Sequence, residues 1–390
     1  MDFMDLNNKI FGTEPEDVWI GNQKGIYIGH ASDNDVRFNS SSGGVVTALL
    51  IFALETGIVD YAVVTRMNRS SPLEPEVCIA STREEVIISS GSKYCPVPSN
   101  IALKEVLLKD ARYAVVGLPC HIHGVRKFEQ VSSKLRDRIV LRLGLMCSNN
   151  TTFLGTEYFL LKWAIDKRHV DRIYFRDRGW VSNYNMRVVM KDGRTRILPR
   201  AGNPHASLWS SLLHNSVYHY DFVIPRCLMC CDHTAELADI SFGDPRLPEL
   251  VRRDKPGKSV IISRSTFAEN LLVRAQSRGA IELTGTISAQ KFYDSQNLSF
   301  KKGFGSRLRA RALLGKSVPS YRSAKPAGRG NPLKMLMYVT SYYSSKKFLW
   351  PTLFPLDVGR FLLRMFHAGF STKFKKVQRV VKPLQKGFLK

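Results

Sequence analysis

Two thiols separated by two residues, Cys227 and Cys230 in Cys-Leu-Met-Cys, are spaced so that one metal ion or cluster can take both. The pair alone also fits half of a zinc site, a redox dithiol or two unremarkable thiols. Two further cysteines stand where they could complete a set of four. Cys120 ends the turn Gly117-Leu-Pro-Cys120 after the apolar run YAVVG, and Cys147 closes LRLGLMC. Both fall at carboxyl ends of predicted parallel strands, where open α/β sheets gather their sites. Four thiolates suit zinc or a [4Fe–4S] cluster. The alternative makes Cys120 and Cys147 small buried apolar residues. The chain has seven cysteines, the others being Cys78, Cys95 and Cys231. An odd number in a chain of this length argues against a secreted disulfide framework.

Two segments could hold an anionic, aromatic ligand. Ser40-Ser-Ser-Gly43-Gly44-Val-Val-Thr47 opens a predicted helix. Small residues there, notably Ser42, Gly43, Gly44 and Thr47, let backbone N–H groups approach a phosphate that the helix dipole favours. It is neither a Walker loop nor G-x-G-x-x-G, and an ordinary capped helix is the alternative. Gly91-Ser92-Lys93-Tyr94 offers a turn, a cation and a ring, which suits a flavin nucleotide; a surface turn is the alternative. Near the thiols, His121 and His123 could gate protons or be structural. Asp232, Asp239, Gly243 and Asp244 follow the Cys-x-x-Cys pair. Their acids read as orienters of a metal site or as solvated turn residues.

These residues require an alternating scaffold. Helices are predicted over Ser42 to Glu55, Asn100 to Lys109, His121 to Phe128, from Thr151 or Thr152 to about Ile165, and over Phe267 to Ser277. Strands are predicted over Tyr61–Thr65, Tyr113–Gly117, Ile139–Leu145, Ala238–Phe242 and Val260–Arg264, with a hairpin over Met186–Pro199 turning at Lys191-Asp192-Gly193. Short apolar strands between helices imply an α/β or α+β fold, a mixed sheet flanked by helices.

The pattern breaks near Lys301, which divides the chain into residues 1–300 and a basic, helical C-terminal extension, 301–390. The net charge is +25, yet the extension holds 21 Lys and Arg against one acid, Asp357. Pro319 and Pro326 suggest a linker. Val358, Phe361, Leu362, Met365 and Phe366 share a helical face that Arg360, Arg364 and His367 leave, with Trp350 and Phe354 as further anchors. This is the pattern of an interfacial helix, giving peripheral membrane contact, or of a helix packed on the main domain. The N-terminus is not a secretory signal. No uninterrupted apolar run of roughly 18 residues is present, so a cytoplasmic protein is expected.

In order and spacing, SSSGGVVTALLIFALETGIVDYAVV, GSKYCP, YAVVGLPCHIHGVRKF, LRLGLMCS and CLMCCDHTAELADISFGD resemble the coenzyme F420 hydrogenase/dehydrogenase beta-subunit family over roughly residues 20–290. The resemblance implies FAD and one [4Fe–4S] cluster. Cys120, Cys147, Cys227 and Cys230 would be the cluster ligands, and Ser42, Gly43, Gly44, Thr47 and Gly91 to Tyr94 would lie at the flavin. It implies an oxidoreductase passing electrons between a hydride carrier, coenzyme F420 or similar, and the cluster or a redox partner protein. No catalytic residue is assigned. No cysteine precedes Cys78, which argues against a second, N-terminal cluster. Three other readings stand. One is a flavin and iron–sulfur reductase of another substrate, for example in polysaccharide biosynthesis. Another is an electron-transfer subunit with no substrate of its own. The last is a zinc-binding module with a nucleic-acid-binding tail, disfavoured because no nucleic-acid motif appears.

Overall fold

The computed structural model describes residues 3–177, 185–199, 210, 214, 217, 221–253, 257–296, 298, 301, 304–319 and 346–350. Packing divides the chain into two compact units, Met1–Ser345 and Lys346–Lys390. In the second, the described part is a short 3-10 turn, Lys347–Leu349, with its flanking residues. The amphipathic stretch from Val358 to His367, with Phe354 and Pro326, lies outside the described residues. Among the described residues no helix is long and apolar enough to cross a membrane.

The first unit is an α/β fold on a mixed eight-stranded sheet. Its strands are β1 (Gly25–Ala31), β2 (Tyr61–Met67), β3 (Pro75–Ala80), β4 (Tyr113–Gly117), β5 (Ile139–Leu145), β9 (Ile240–Gly243), β10 (Ser259–Ser263) and β11 (Ile281–Thr286); β6 (Val170–Tyr174), β7 (Met186–Met190) and β8 (Thr195–Leu198) form a separate antiparallel sheet. The order across the large sheet is β11-β1-β10-β9-β5-β4-β2-β3. Neighbours β2, β4, β5 and β9 run parallel, and β3, β10, β1 and β11 complete the two sides antiparallel.

Successive strand residues serve opposite faces, and helices cover both. Ala62, Val64, Ala114, Leu141 and Ile261 join one core with the helix Val45–Glu55 and the helix Thr266–Ser277. Val63, Tyr113, Val115 and Ile139 join another with the helices Leu103–Leu108 and Pro119–Glu129. Two buried faces explain why these strands read as continuous apolar runs.

The predicted strands match β2, β4, β5, β9 and β10 within one or two residues, and the hairpin is β7–β8 with Gly193 at φ +83°. Four helix boundaries shift. The helix expected from Ser42 begins at Val45, after Gly44. The stretch expected as one helix from Asn100 is a 3-10 turn, Ser99–Ala102, followed by Leu103–Leu108. The helix after Thr152 is Phe153–Lys162, and Ala164 beyond its end has φ +51°. The helix expected from His121 begins at Pro119, whose fixed φ suits a first helical turn. Cys120 therefore sits inside that helix rather than in the turn before it.

Gly43 shows how tightly the start of the helix Val45–Glu55 is seated. A Cβ there would lie 2.6 Å from the Ser259 amide nitrogen and 2.7 Å from the Gly29 carbonyl oxygen, both backbone atoms of the sheet. Gly43→Ala is expected to destabilise the fold by about 1–3 kcal/mol, as overpacking does. Urea denaturation would measure it, and a wild-type midpoint would show that the strands can yield.

Candidate functional site

A buried ion network sets the elements that deliver the cysteines. Arg126 belongs to the helix Pro119–Glu129, Arg142 to β5, and Asp239 immediately precedes β9. The Arg126 Nη2 meets Asp239 Oδ1 at 2.8 Å, and the Arg142 backbone N–H donates to Asp239 Oδ2 at 2.7 Å. Glu129 Oε1 accepts from Arg142 at 2.8 Å, and its other oxygen meets Arg126 at 3.3 Å. All four side chains are buried. Asp239, expected to orient a metal site or lie in a solvated turn, is buried and pairs with two arginines.

From this frame the four cysteines converge. Cys120 lies in the first turn of its helix, and Cys147 stands two residues past β5, with its N–H bonded to the His233 carbonyl at 2.9 Å. Cys227 lies in the short helix Pro225–Met229, which Cys230 caps. Each thiol is near enough to the others to feel their charge. Burial, then the Cys230 and Cys227 thiolates, push Cys120 up to about 11, although the residue itself reaches solvent. Burial likewise raises Cys147 and Cys227, with neighbouring thiolates adding to it. Such a group resists ionisation until a cation joins it, so metal binding there would release protons. Among the described residues, no three His, Cys, Asp or Glu side chains are closed to metal-ligand geometry. The thiols share a region rather than a coordination sphere. Four cysteine thiols are the donor chemistry of an iron–sulfur cluster, and the hydrogen bonds two of them make to carbonyls are weak: Cys147 Sγ to Asn149 at 3.6 Å, and Cys230 Sγ to Asp232 at 3.5 Å.

Two cations that the sequence did not single out lie here. Lys301 hydrogen-bonds the Cys230 thiol; burial disfavours its ammonium, but the Cys230, Cys147 and Cys227 thiolates outweigh that and raise its pKa. Arg307, from the helix Phe304–Leu313, donates through Nε to the Leu228 carbonyl at 2.5 Å. That helix packs on the Cys-x-x-Cys helix through Leu228 and Ala310. Both cations belong to the basic extension, and nothing in that run of charge distinguishes them.

The two predicted anion-binding segments are brought together. The Ser92 N–H donates to Ser41 Oγ at 2.6 Å, and the two hydroxyls are 2.9 Å apart. Ser42 and Gly43 spend their donors on the chain entering β10: the Ser42 hydroxyl on the Lys258 carbonyl at 2.7 Å, and the Gly43 N–H on Ser259 Oγ at 3.0 Å. Gly44 holds a left-handed conformation, φ +78°, and the following helix has no side-chain cap. Its first N–H groups therefore remain for an outside acceptor. Thr47 is buried in that helix. Gly91 also has φ +84°, with open space where a side chain would be. Lys93 donates to the carbonyls of Ser89 and Ser90 at 2.5 and 2.9 Å, and burial lowers its pKa to about 8. The Tyr94 ring meets Phe175 edge-on.

A clamp joins these segments to the thiols. Just past Cys147, Asn150 Nδ2 donates to the Cys95 carbonyl at 2.8 Å and Thr151 Oγ1 to the Tyr94 carbonyl at 2.7 Å. On the other side the Ile224 N–H donates to the Asn150 carbonyl at 2.9 Å, and the Cys227 N–H to the Ile224 carbonyl at 2.8 Å. Sequence reading misses this clamp, because its partners are 55 residues or more apart.

The other residues singled out make local contacts. His121 Nδ1 accepts the Leu118 N–H that opens its helix, and His123 meets the Phe3 ring edge-on. Asp232 accepts the Glu236 N–H, while Asp244 pairs with Arg176 at 2.9 Å. Gly243 ends β9, where a Cβ would strike the Met146 side chain. Cys231 packs among Trp19, Leu298 and Phe304. Cys95 is fully buried, and burial pushes it up to about 12.

Fold and site together define an α/β protein whose parallel strands deliver cysteines to one region, beside a glycine- and serine-rich helix start. The chain belongs to the coenzyme F420 hydrogenase/dehydrogenase beta-subunit family: the family's N-terminal region matches residues 26–104 and its C-terminal region residues 110–288. It is 25% identical over 270 residues to the coenzyme F420 hydrogenase subunit beta of Methanothermobacter thermautotrophicus, covering 67% of this chain and 85% of that protein. It is 24% identical over 303 residues to the coenzyme F420-dependent sulfite reductase of Methanocaldococcus jannaschii, covering 74% of this chain and 42% of that one. A chain of the F420-reducing [NiFe] hydrogenase complex from Methanosarcina barkeri has the same fold, with a TM-score of 0.59 at 20% identity, over 79% of this chain and 99% of that one.

Proposed function

We propose that this chain is a flavin- and [4Fe–4S]-dependent oxidoreductase that passes electrons between a hydride carrier, coenzyme F420 or a similar compound, and its cluster or a redox partner subunit. The observation that carries the proposal is the clamp at Asn150 and Thr151, which ties the candidate flavin turn to the candidate cluster ligands. Cys120, Cys147, Cys227 and Cys230 would hold the cluster. The helix start at Gly44 to Thr47 and the turn from Gly91 to Tyr94 would hold FAD, with Lys93 as a nearby cation. A flavin exchanges two electrons with a hydride carrier and single electrons with an iron–sulfur centre. The residues themselves bind, orient and shield. A partner subunit is supported by relatives named as hydrogenase subunits, and a cytoplasmic site of action is part of the proposal.

Anaerobic mixing with reduced coenzyme F420 tests the reading. Bleaching of the bound flavin supports it; flavin that stays oxidised points to another donor. Asn150→Leu removes one arm of the clamp from a buried site. It is expected to slow electron passage from flavin to cluster at least roughly tenfold, the scale of about 1.4 kcal/mol of lost positioning, with iron and flavin contents retained. Stopped-flow spectroscopy would measure this, and unchanged kinetics would show that Thr151 alone suffices.

A further inference from the structure

We infer that residues 3–22 form a strap latched by Arg264, that the latch holds the loop 232–238 in a strained conformation, and that strap and loop open together when it releases. The strain sits at Ala235. Its backbone is left-handed, φ +54°, although the residue is fully buried. A Cβ makes that conformation unfavourable, so it persists only where the surroundings enforce it. Here they do. The peptide before Ala235 is fixed through the Thr234 carbonyl, which accepts from Arg264 Nη2 at 3.0 Å. The peptide after it is fixed through the Ala235 carbonyl, which accepts from the Ser241 hydroxyl at 3.1 Å. That hydroxyl in turn accepts from Arg264 Nε at 3.1 Å. One guanidinium therefore governs both sides of the strained residue.

The same guanidinium holds the strap. Arg264 Nη1 donates to the Ile20 carbonyl at 2.8 Å and to the Asn22 carbonyl at 2.6 Å. A planar fork of fixed donors suits this task, and a lysine ammonium does not. Strap and loop also meet directly. Thr234 Oγ1 donates to the Ile20 carbonyl at 3.0 Å. Phe3 and Leu6, from the helix Phe3–Phe11, pack with Ala235, Leu237 and Ala238. Gly21 has φ +83°, and a Cβ on it would lie 2.8 Å from the Glu236 Cγ.

The loop borders the thiols. The Cys147 N–H donates to the His233 carbonyl at 2.9 Å, so opening the loop parts Cys147 from the segment that follows Cys230. Loading of the site through that opening rests on the functional reading above. The latch rests on hydrogen bonds and packing alone.

Hydrogen–deuterium exchange read by mass spectrometry on the anaerobically purified full chain tests the latch, with β4 and β5 reporting global unfolding. In wild type, amides of the loop and of residues 17–22 are expected to exchange together. They should exchange at least roughly tenfold faster than β4 and β5, with a weaker urea dependence, the mark of local opening. Arg264→Lys keeps the charge but loses the fork, and should speed loop exchange roughly tenfold or more. Gly21→Ala, which presses the strap off Glu236, should speed it too. Ala235→Gly relieves the strain and should slow loop exchange roughly fivefold; it keeps the test decisive if Arg264→Lys fails to fold. Loop and strand amides sharing one rate and one urea dependence would overturn the inference, as would Ala235→Gly exchanging like wild type. The expected exchange in protein that holds no iron would uphold the latch and count against the iron–sulfur reading alone.

Discussion

Anaerobically purified Cys227→Ala protein will hold less than about one iron per chain, against about four in the wild type, the content of one [4Fe–4S] cluster. Cys231→Ala, one residue beyond the pair, will keep its iron. The contrast follows from where the two thiols lie. Cys227 faces the charge of Cys230 and Lys301, whereas Cys231 packs among Trp19, Leu298 and Phe304. Loss of a candidate ligand would leave three thiols, and Cys231 would have to leave an apolar cluster to replace the fourth. Iron analysis with visible absorbance checks both variants. Full iron in Cys227→Ala, or loss in Cys231→Ala, would mean that the ligand set is drawn wrongly. Oxidation of reduced coenzyme F420 should still bleach flavin in Cys227→Ala, since the candidate flavin segments do not use that thiol, while onward electron passage is lost.

Asp239→Ala will destabilise the fold by about 3–5 kcal/mol, the usual consequence of removing one partner from a buried ion pair. Asp239 accepts from the Arg126 guanidinium and the Arg142 backbone N–H, and both arginines are buried. Its removal leaves the two guanidiniums with one carboxylate, Glu129, among the described residues. The damage is local to the site, because the network joins the helix carrying Cys120, the strand leading to Cys147 and the entry to β9. Urea denaturation of the anaerobic protein measures the loss. A change below about 1 kcal/mol would place the network outside the structural core. Asp239→Asn keeps the size and one acceptor, so it should lose less.

Where the sequence was legible, a local signal coincided with a tertiary one. The runs YAVVG and LRLGL are apolar at almost every position because β4 and β5 are buried on both faces. That marked their ends, and so Cys120 and Cys147, before any contact was known. The Asp-Gly turn of β7–β8 was equally plain. In the large sheet, β1, β3 and β11 were missed for physical reasons. GIYIGHA carries two glycines, PEVCIA opens with proline at a sheet edge, and IELTGT is mostly exposed. Each is held by antiparallel neighbours rather than by its own propensity. The site followed the same rule. The cysteines could be singled out as candidates from spacing and from the family resemblance, but the Asn150 clamp, the Asp239 network and Lys301 depend on partners far along the chain. An extension with 21 basic residues also hides any single lysine that turns inward.

The most direct test of the account is an anaerobic visible spectrum with iron, zinc and flavin analysis on the purified full chain. Flavin bands together with about four irons per chain are the expected result for one flavin and one [4Fe–4S] cluster. A colourless protein holding zinc at the same four thiols would contradict the account and leave the family fold without its redox centre.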